Sequence, residues 1–314
     1  GFILYLFRIK LLNKMSKNLL SRLDEGPVIF AEGYLFAMER RGYLSAGPFV
    51  PEVVLEHPDV VTQLHREFIR AGSEIYFTLG KILENEGLST NVGYEGGYAP
   101  SNLSNKQVLD FIITATEKAG YIPGDDIFIS LDPASSEFGN KSEYLLSKEN
   151  MKLSSEEMVE YYSNLIDEYP IYSIEDGLSE DDWNGWNIFT SKHGKKTQIV
   201  GDDLFVTQKK YLEKGISEKS ANAILIKFNQ VGTISETLET IQLASNNNFK
   251  SVISHRSGET EDTTIADLAV GTNSGQIKTG APARSDRVAK YNRLLRIEEK
   301  LKDKATFAGK SILL

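Results

Sequence analysis

The chain has 314 residues, 40% hydrophobic and 25% charged, which fits one large or two modest domains around a sizeable core. A formal net charge of -9 and a pI near 5.2 argue against nucleic acid as a partner, because phosphate backbones select basic surfaces. There is no cysteine, which excludes disulfides, thiolate zinc sites and cysteine nucleophiles.

Residues 1–14, GFILYLFRIKLLNK, precede Met15 and are apolar and basic without turn signals. They read as an edge strand or short amphipathic helix, or as upstream sequence. Arg8 and Lys10 interrupt the run, it is too short to span a membrane, and no secretory cleavage pattern follows. The chain therefore reads as cytoplasmic, with no membrane partner. Residues 28–30 predict a short buried strand, and residues 54–70 carry apolar positions at helical spacing behind a Pro-rich loop, which makes one βα unit. Its stretches FAMERRGYLSAGPFVPE and EHPDVVTQLHREFIRAGS resemble the start of the betaine/homocysteine S-methyltransferase family, over about residues 18–73. That resemblance implies a (β/α)8 barrel with a thiolate zinc site, which a chain without cysteine cannot build. Phe30-Ala31-Glu32-Gly33 stands where that family has a Gly-Asp-Gly-Gly turn, so its acidic residue is lost or displaced. His57 and His65 read as exposed helix residues, since no third ligand is near.

At Gly72 the character changes, so the expected organisation is an atypical segment, residues 1–71, followed by one domain, residues 72–314. GSEIYFTLGKILENEG predicts a helix closed by Gly87, and STNVGYEGGYAP a Gly-rich loop presenting Glu95. Then IFISLD, IYSIED, QIVGDD, AILIKF, SVISH and SGQIK predict strands. Helices are expected at 155–167, around Trp183, at 206–215, 233–244 and 264–270, and finally at 285–301. Strict alternation of apolar strands with helices predicts an α/β fold with a parallel sheet. Six units in succession favour a TIM-type (β/α)8 barrel, with a doubly wound sheet as the alternative.

Each of those six strands ends in a polar group: Asp132, Glu175, Asp202, Lys227, His255 and Lys278. In a parallel barrel these positions converge on the C-terminal rim, where active sites are assembled. Asp132, Glu175 and Asp202 offer three hard oxygen ligands suited to a divalent ion such as Mg2+; a surface acidic patch is the alternative. Lys227 ends an apolar run, where burial can depress its pKa toward use as a general base. The alternative for it is a plain ion pair, for which Asp203 is close in sequence. His255, Arg256, Ser257 and Lys278 form an expected cationic wall for an anionic, phosphorylated ligand. Such a set points to proton abstraction beside a carboxylate, with a metal stabilising the enediolate.

LDPASSEF, YPIYSIEDGLSEDDW, GDDLFVT, ILIKFNQVGT, SHRSGETEDTTIADLAVG and GQIKTGAPARSDRVAKYNRLLRIEE resemble the C-terminal barrel of the enolase family, from about residue 72 to the end. The resemblance implies dehydration of 2-phosphoglycerate to phosphoenolpyruvate, a phosphorylated carboxylate as small-molecule partner, and a homodimer. It also implies that Asp132, Glu175 and Asp202 hold Mg2+ and that Lys227 takes the C2 proton. Glu95, in the loop resembling the family's GDEGG, would assist departure of the C3 hydroxide. Arg256 and Ser257 would bind phosphate, with His255 and Lys278 lining the site and Lys278 facing the carboxylate. Tyr94 stands where the family has Asp, and nothing in the chain matches the family's N-terminal α+β domain, its mobile serine loop or its first two barrel strands. Six family-like strands and one methyltransferase-like strand make seven where such a barrel needs eight; residues 2–9 are the candidate eighth. The expectation is a retained first metal site with turnover impaired by the lack of a lid. Three other readings compete: a non-catalytic metal or phospholigand binder, a chimeric product joined at residues 71–73, and a homocysteine methyltransferase, disfavoured by the missing thiolates.

Overall fold

The structure, a computed structural model, describes residues 2–5, 72–301 and 305. The methyltransferase-like stretch up to residue 71, with His57 and His65, lies outside the described residues.

In chain order the elements are β1 (Phe2–Tyr5), α1 (Ser73–Asn85), α2 (Asn105–Lys118), β2 (Phe128–Leu131), β3 (Gly139–Asn140), β4 (Glu143–Leu146), β5 (Met151–Ser154) and α3 (Ser155–Glu168). They continue as β6 (Ile171–Glu175), α4 (Trp183–His193), β7 (Gln198–Gly201), α5 (Lys209–Glu218), β8 (Ala223–Ile226), α6 (Phe228–Val231), α7 (Ile234–Asn246), β9 (Lys250–Ser254), α8 (Thr264–Gly271), β10 (Ile277–Lys278) and α9 (Ser285–Leu301). All six predicted strands are present. Gly87 follows α1 at φ 68°, the left-handed turn that glycine adopts without a Cβ clash. Helix α5 starts three residues later than the apolar pattern suggests. Val206 and Thr207 hold φ values of 44° and 57°, outside the helical region and uncommon for β-branched residues. Helix α2 and the antiparallel meander β3-β4-β5 were not among the expected elements.

The main sheet has the order β1-β2-β6-β7-β8-β9-β10. Strands β2 to β10 in it are mutually parallel and lie in sequence order. A doubly wound sheet would reverse its strand order part-way, and this one does not. The segment expected as the eighth barrel strand does form a strand over Phe2–Tyr5, but it runs antiparallel to β2, with Phe2 opposite Leu131 and Tyr5 opposite Phe128. It therefore extends the sheet at one edge instead of completing a parallel ring. Among the described residues β1 and β10 remain unpaired to each other, and the sheet is a partly curled half-barrel.

Period-two alternation divides the strands between two faces. Ile174, Ile199, Ile224, Ile226 and Ile253 pack with helix residues Leu165, Trp186, Phe189, Leu212, Ala244 and Ile265 in the larger core. Val200, Ala223, Leu225 and Val252, with Tyr172, form a separate cluster on the other face. Each fully buried aliphatic side chain contributes about 1.5–3 kcal/mol, so these two clusters hold the strand ends in place. Among the described residues no helix is long and apolar enough to cross a membrane.

Candidate active site

The six polar strand-end residues stand together at the C-terminal edge of the sheet, as alternation requires. Glu175 and Lys278 are the last residues of β6 and β10; Asp132, Asp202, Lys227 and His255 lie one past β2, β7, β8 and β9. Below them runs a buried polar layer. Gln198 donates to Ser173 Oγ at 3.1 Å and to Gln276 Oε1 at 3.0 Å, and Gln276 donates back to Gln198 at 2.9 Å. Two residues further along their strands, Ser173 and Gln276 give way to Glu175 and Lys278, which meet on the same face.

Lys278 Nζ donates to Asp132 Oδ2 and to Glu175 Oε1, both at 2.7 Å. Glu175 is 3% exposed, and burial, with Asp132 and Asp202 nearby, pushes its carboxyl up to about 8 despite Lys278. Lys227 Nζ is ion-paired with Asp202 Oδ2, so the lysine's partner is Asp202 and not Asp203. The other oxygen, Asp202 Oδ1, is buried and accepts no hydrogen bond. Asp176, at φ 44°, accepts the backbone N–H of Asp202 at 2.8 Å and of Asp203 at 2.9 Å, and so sets where Asp202 points. Burial, then Asp202, raises the Asp176 carboxyl well above its ordinary value.

Among the described residues, the acidic group whose oxygens lie within 4.8 Å of one another is Asp176, Asp202 and Asp203. It shares only Asp202 with the trio read from the sequence, because the Lys278 ammonium stands between Asp132 and Glu175. The donor chemistry nonetheless fits a divalent cation. A buried carboxylate oxygen without a donor on Asp202, and a Glu175 carboxyl raised beside two other carboxylates, are both conditions that a cation relieves.

On the other side of the rim, Lys227, Asn229, Arg256, Ser257 and Gly258 line a cleft of about 390 Å³. Arg256 Nη1 donates to Asn229 Oδ1 at 2.9 Å, which leaves other N–H groups of the guanidinium toward the cleft. Ser257 Oγ donates to Glu95 Oε1 at 3.1 Å, and His255 Nε2 lies 3.4 Å from Glu95 Oε2. His255, with Lys278 and Ser257, pulls the Glu95 carboxyl down to about 2 against the effect of burial. His255 is almost wholly buried, which lowers its own pKa, and it is neutral at pH 7. Of the expected cationic wall, then, Arg256 and Ser257 face the cleft, Lys278 sits among the carboxylates and His255 lies beneath Glu95.

The Glu95 loop is docked by glycines. A Cβ on Gly280, at φ 85°, would stand 2.7 Å from Glu95 O, and one on Gly96, at φ 80°, 2.9 Å from Ala283 O. Ala281 N–H donates to Glu95 O at 2.9 Å. Sequence reading missed Asn229, Asp176 and Arg287. Asp176 adjoins Glu175 and Asn229 lies two residues past Lys227, so both were open to a reading of the strand ends. Arg287, fully buried on α9, carried no such signal.

Comparison with known proteins identifies the family. The family model described as "Enolase, C-terminal TIM barrel domain" matches residues 54–314, a span that starts before the expected boundary at residue 72. The chain is 59% identical over 244 residues to Enolase 1 of Methanospirillum hungatei JF-1, an alignment covering 78% of this chain and 57% of that protein. The chain thus spans little more than half the length of this relative. With a family match over most of its length, the chain belongs to the enolase family through its C-terminal TIM-barrel domain.

Proposed function

We propose that this rim carries phosphopyruvate-hydratase chemistry, the dehydration of 2-phosphoglycerate to phosphoenolpyruvate. The observation that carries the reading is the placement of Lys227, ion-paired to Asp202, in the wall of the same cleft as Arg256 and Ser257. A phosphate gripped by Arg256 and Ser257 brings the adjoining carbon within reach of a lysine. Lys227 takes the C2 proton, and Asp202, its partner, holds the ammonium. Lys278 faces the substrate carboxylate. Loss of the C3 hydroxyl as water requires a proton, and Glu95, bonded to Ser257 in the cleft wall, is the group assigned to supply it in this reading. A polyanionic substrate beside Glu95 raises its pKa from about 2 and moves it toward the acid form.

Asp132, Glu175 and Asp202 would hold Mg2+, which supplies Lewis-acid stabilisation of charge on the substrate carboxylate. The partner is a small phosphorylated carboxylate. A cytoplasmic location and a homodimer go with this reading as proposals.

The test is phosphoenolpyruvate formation by the purified 314-residue chain from 2-phosphoglycerate, with and without Mg2+. Metal-dependent turnover is expected, falling about 100- to 10,000-fold in Lys227→Ala. Mg2+-dependent binding without turnover would replace catalysis by a phospholigand-binding role. Undiminished turnover in Lys227→Ala would remove the lysine from the chemistry.

A further inference from the structure

Arg287 carries no chemical role in the site and yet makes directed bonds to several parts of it. It is fully buried near the start of α9. Its Nη1 donates to His255 Nδ1 at 2.6 Å and to Arg256 O at 2.7 Å. Its Nη2 donates to Tyr94 O at 2.8 Å and to Ser257 O at 2.7 Å, while Nε lies 3.2 Å from Asp286 Oδ2. A guanidinium has no acceptor, so every one of these bonds fixes the role of its partner. His255 Nδ1 must accept. The neutral imidazole then carries its proton on Nε2, the atom 3.4 Å from Glu95 Oε2.

His255 faces three charged groups: Glu95 from the loop after α1, Arg287 from α9 and Lys278 from β10. Of these only Arg287 reaches Nδ1 as a donor. The carbonyls it holds belong to Tyr94, the residue before Glu95, and to Arg256 and Ser257, the two cleft residues. One planar fork therefore joins the loop that presents the acid to the loop that presents the phosphate grip, across 193 positions of chain in the case of Tyr94.

We propose that Arg287 is a positioning residue of the site: it sets the Nε2–H tautomer of His255 and locks the Glu95 loop to the Arg256-Ser257 loop. The catalytic half of this inference rests on the dehydration proposed above; the tautomer half does not.

The experiment is ¹⁵N NMR of the histidine rings in the full chain, whose four histidines allow His255 to be identified by its loss in His255→Asn. The wild-type spectrum is expected to show His255 as Nε2–H. In Arg287→Met, which keeps the length and loses the donors, the tautomer should mix or invert. kcat should fall about 10- to 100-fold, the scale of a displaced catalytic group. Arg287→Lys, which restores a single donor, should recover the tautomer and part of the turnover. A wild-type Nδ1–H tautomer overturns the proposal, and so does an Arg287→Met protein, folded by circular dichroism, with wild-type tautomer and wild-type kcat. Should Arg287→Met not fold, the wild-type spectrum decides alone: Nε2–H supports the proposal and Nδ1–H overturns it. Absence of turnover in the wild-type chain would count against the proposed function, and the tautomer would still decide for or against Arg287.

Discussion

At the scale of single residues, Glu95 links the site's chemistry to its acid sensitivity. Its carboxyl is held at about 2 against an ordinary 4.5, first by His255. A depressed folded-state pKa contributes stability that is fully present above the unfolded value and is lost as pH falls toward the folded one. The window is therefore about pH 4.5 down to about 2. His255 is neutral at pH 7 and offers an N–H dipole rather than a full charge, which makes the contribution smaller than the whole shift implies. Glu95→Gln is expected to cost about 1–2 kcal/mol at pH 7 and about a quarter of that near pH 2.5. Urea unfolding at the two pH values measures this, and an equal cost at both would mean that the carboxylate is not the acid-sensitive group. The six strand-end residues were legible because alternation along a parallel strand needs only local sequence. Arg287 was not, because an arginine in an otherwise polar helix reads as a solvated residue; only the meeting of α9 with two distant loops makes it a buried fork.

At the scale of elements, two helix starts are marked by reciprocal caps. Ser104 accepts from Gln107 N–H while Gln107 reaches back to Ser104 N–H, and Ser154 and Glu157 do the same at the start of α3. The first pair was a readable signal for α2 that the strand-helix alternation obscured. The meander β3-β4-β5 left less to read: its strands are two to four residues long, and their burial is set by Tyr144, whose hydroxyl donates to Asp182 at 2.8 Å far along the chain. Ser154 occupies the join between β5 and α3, and the next residue, Ser155, also bonds Asp182. Removing the cap with Ser154→Ala should lower stability by about 1 kcal/mol. Denaturant unfolding should show a lower midpoint with an unchanged slope; a changed slope would indicate that the meander itself comes apart.

At the scale of the whole molecule, the half-barrel has no ladder of hydrogen bonds between β2 and β10 among its described strands. Across that gap Lys278 donates from β10 to Asp132 beyond β2 and to Glu175 on β6, over 146 and 103 positions of chain. Its ammonium thereby helps hold the curl as well as the charge balance of the rim. Removing one partner of a buried pair typically costs about 3–5 kcal/mol, because the remaining charge stays in a low-dielectric place. For Lys278→Met the charge left is chiefly that of Glu175, and its pKa gives the cost a pH dependence. A carboxyl raised to about 8 in the folded chain contributes stability below its unfolded value near 4.5, and that contribution is lost as pH rises through about 8. Lys278 lowers the Glu175 pKa, so its removal pushes the group higher and extends the loss to higher pH. Lys278→Met should therefore be more destabilised at pH 8.5 than at pH 5, by about 1 kcal/mol, because wild-type Glu175 has begun to ionise beside Lys278 at the higher pH and is protonated at the lower. Guanidinium unfolding of both proteins at the two pH values tests this, and a pH-independent difference would show that Lys278 acts by packing alone.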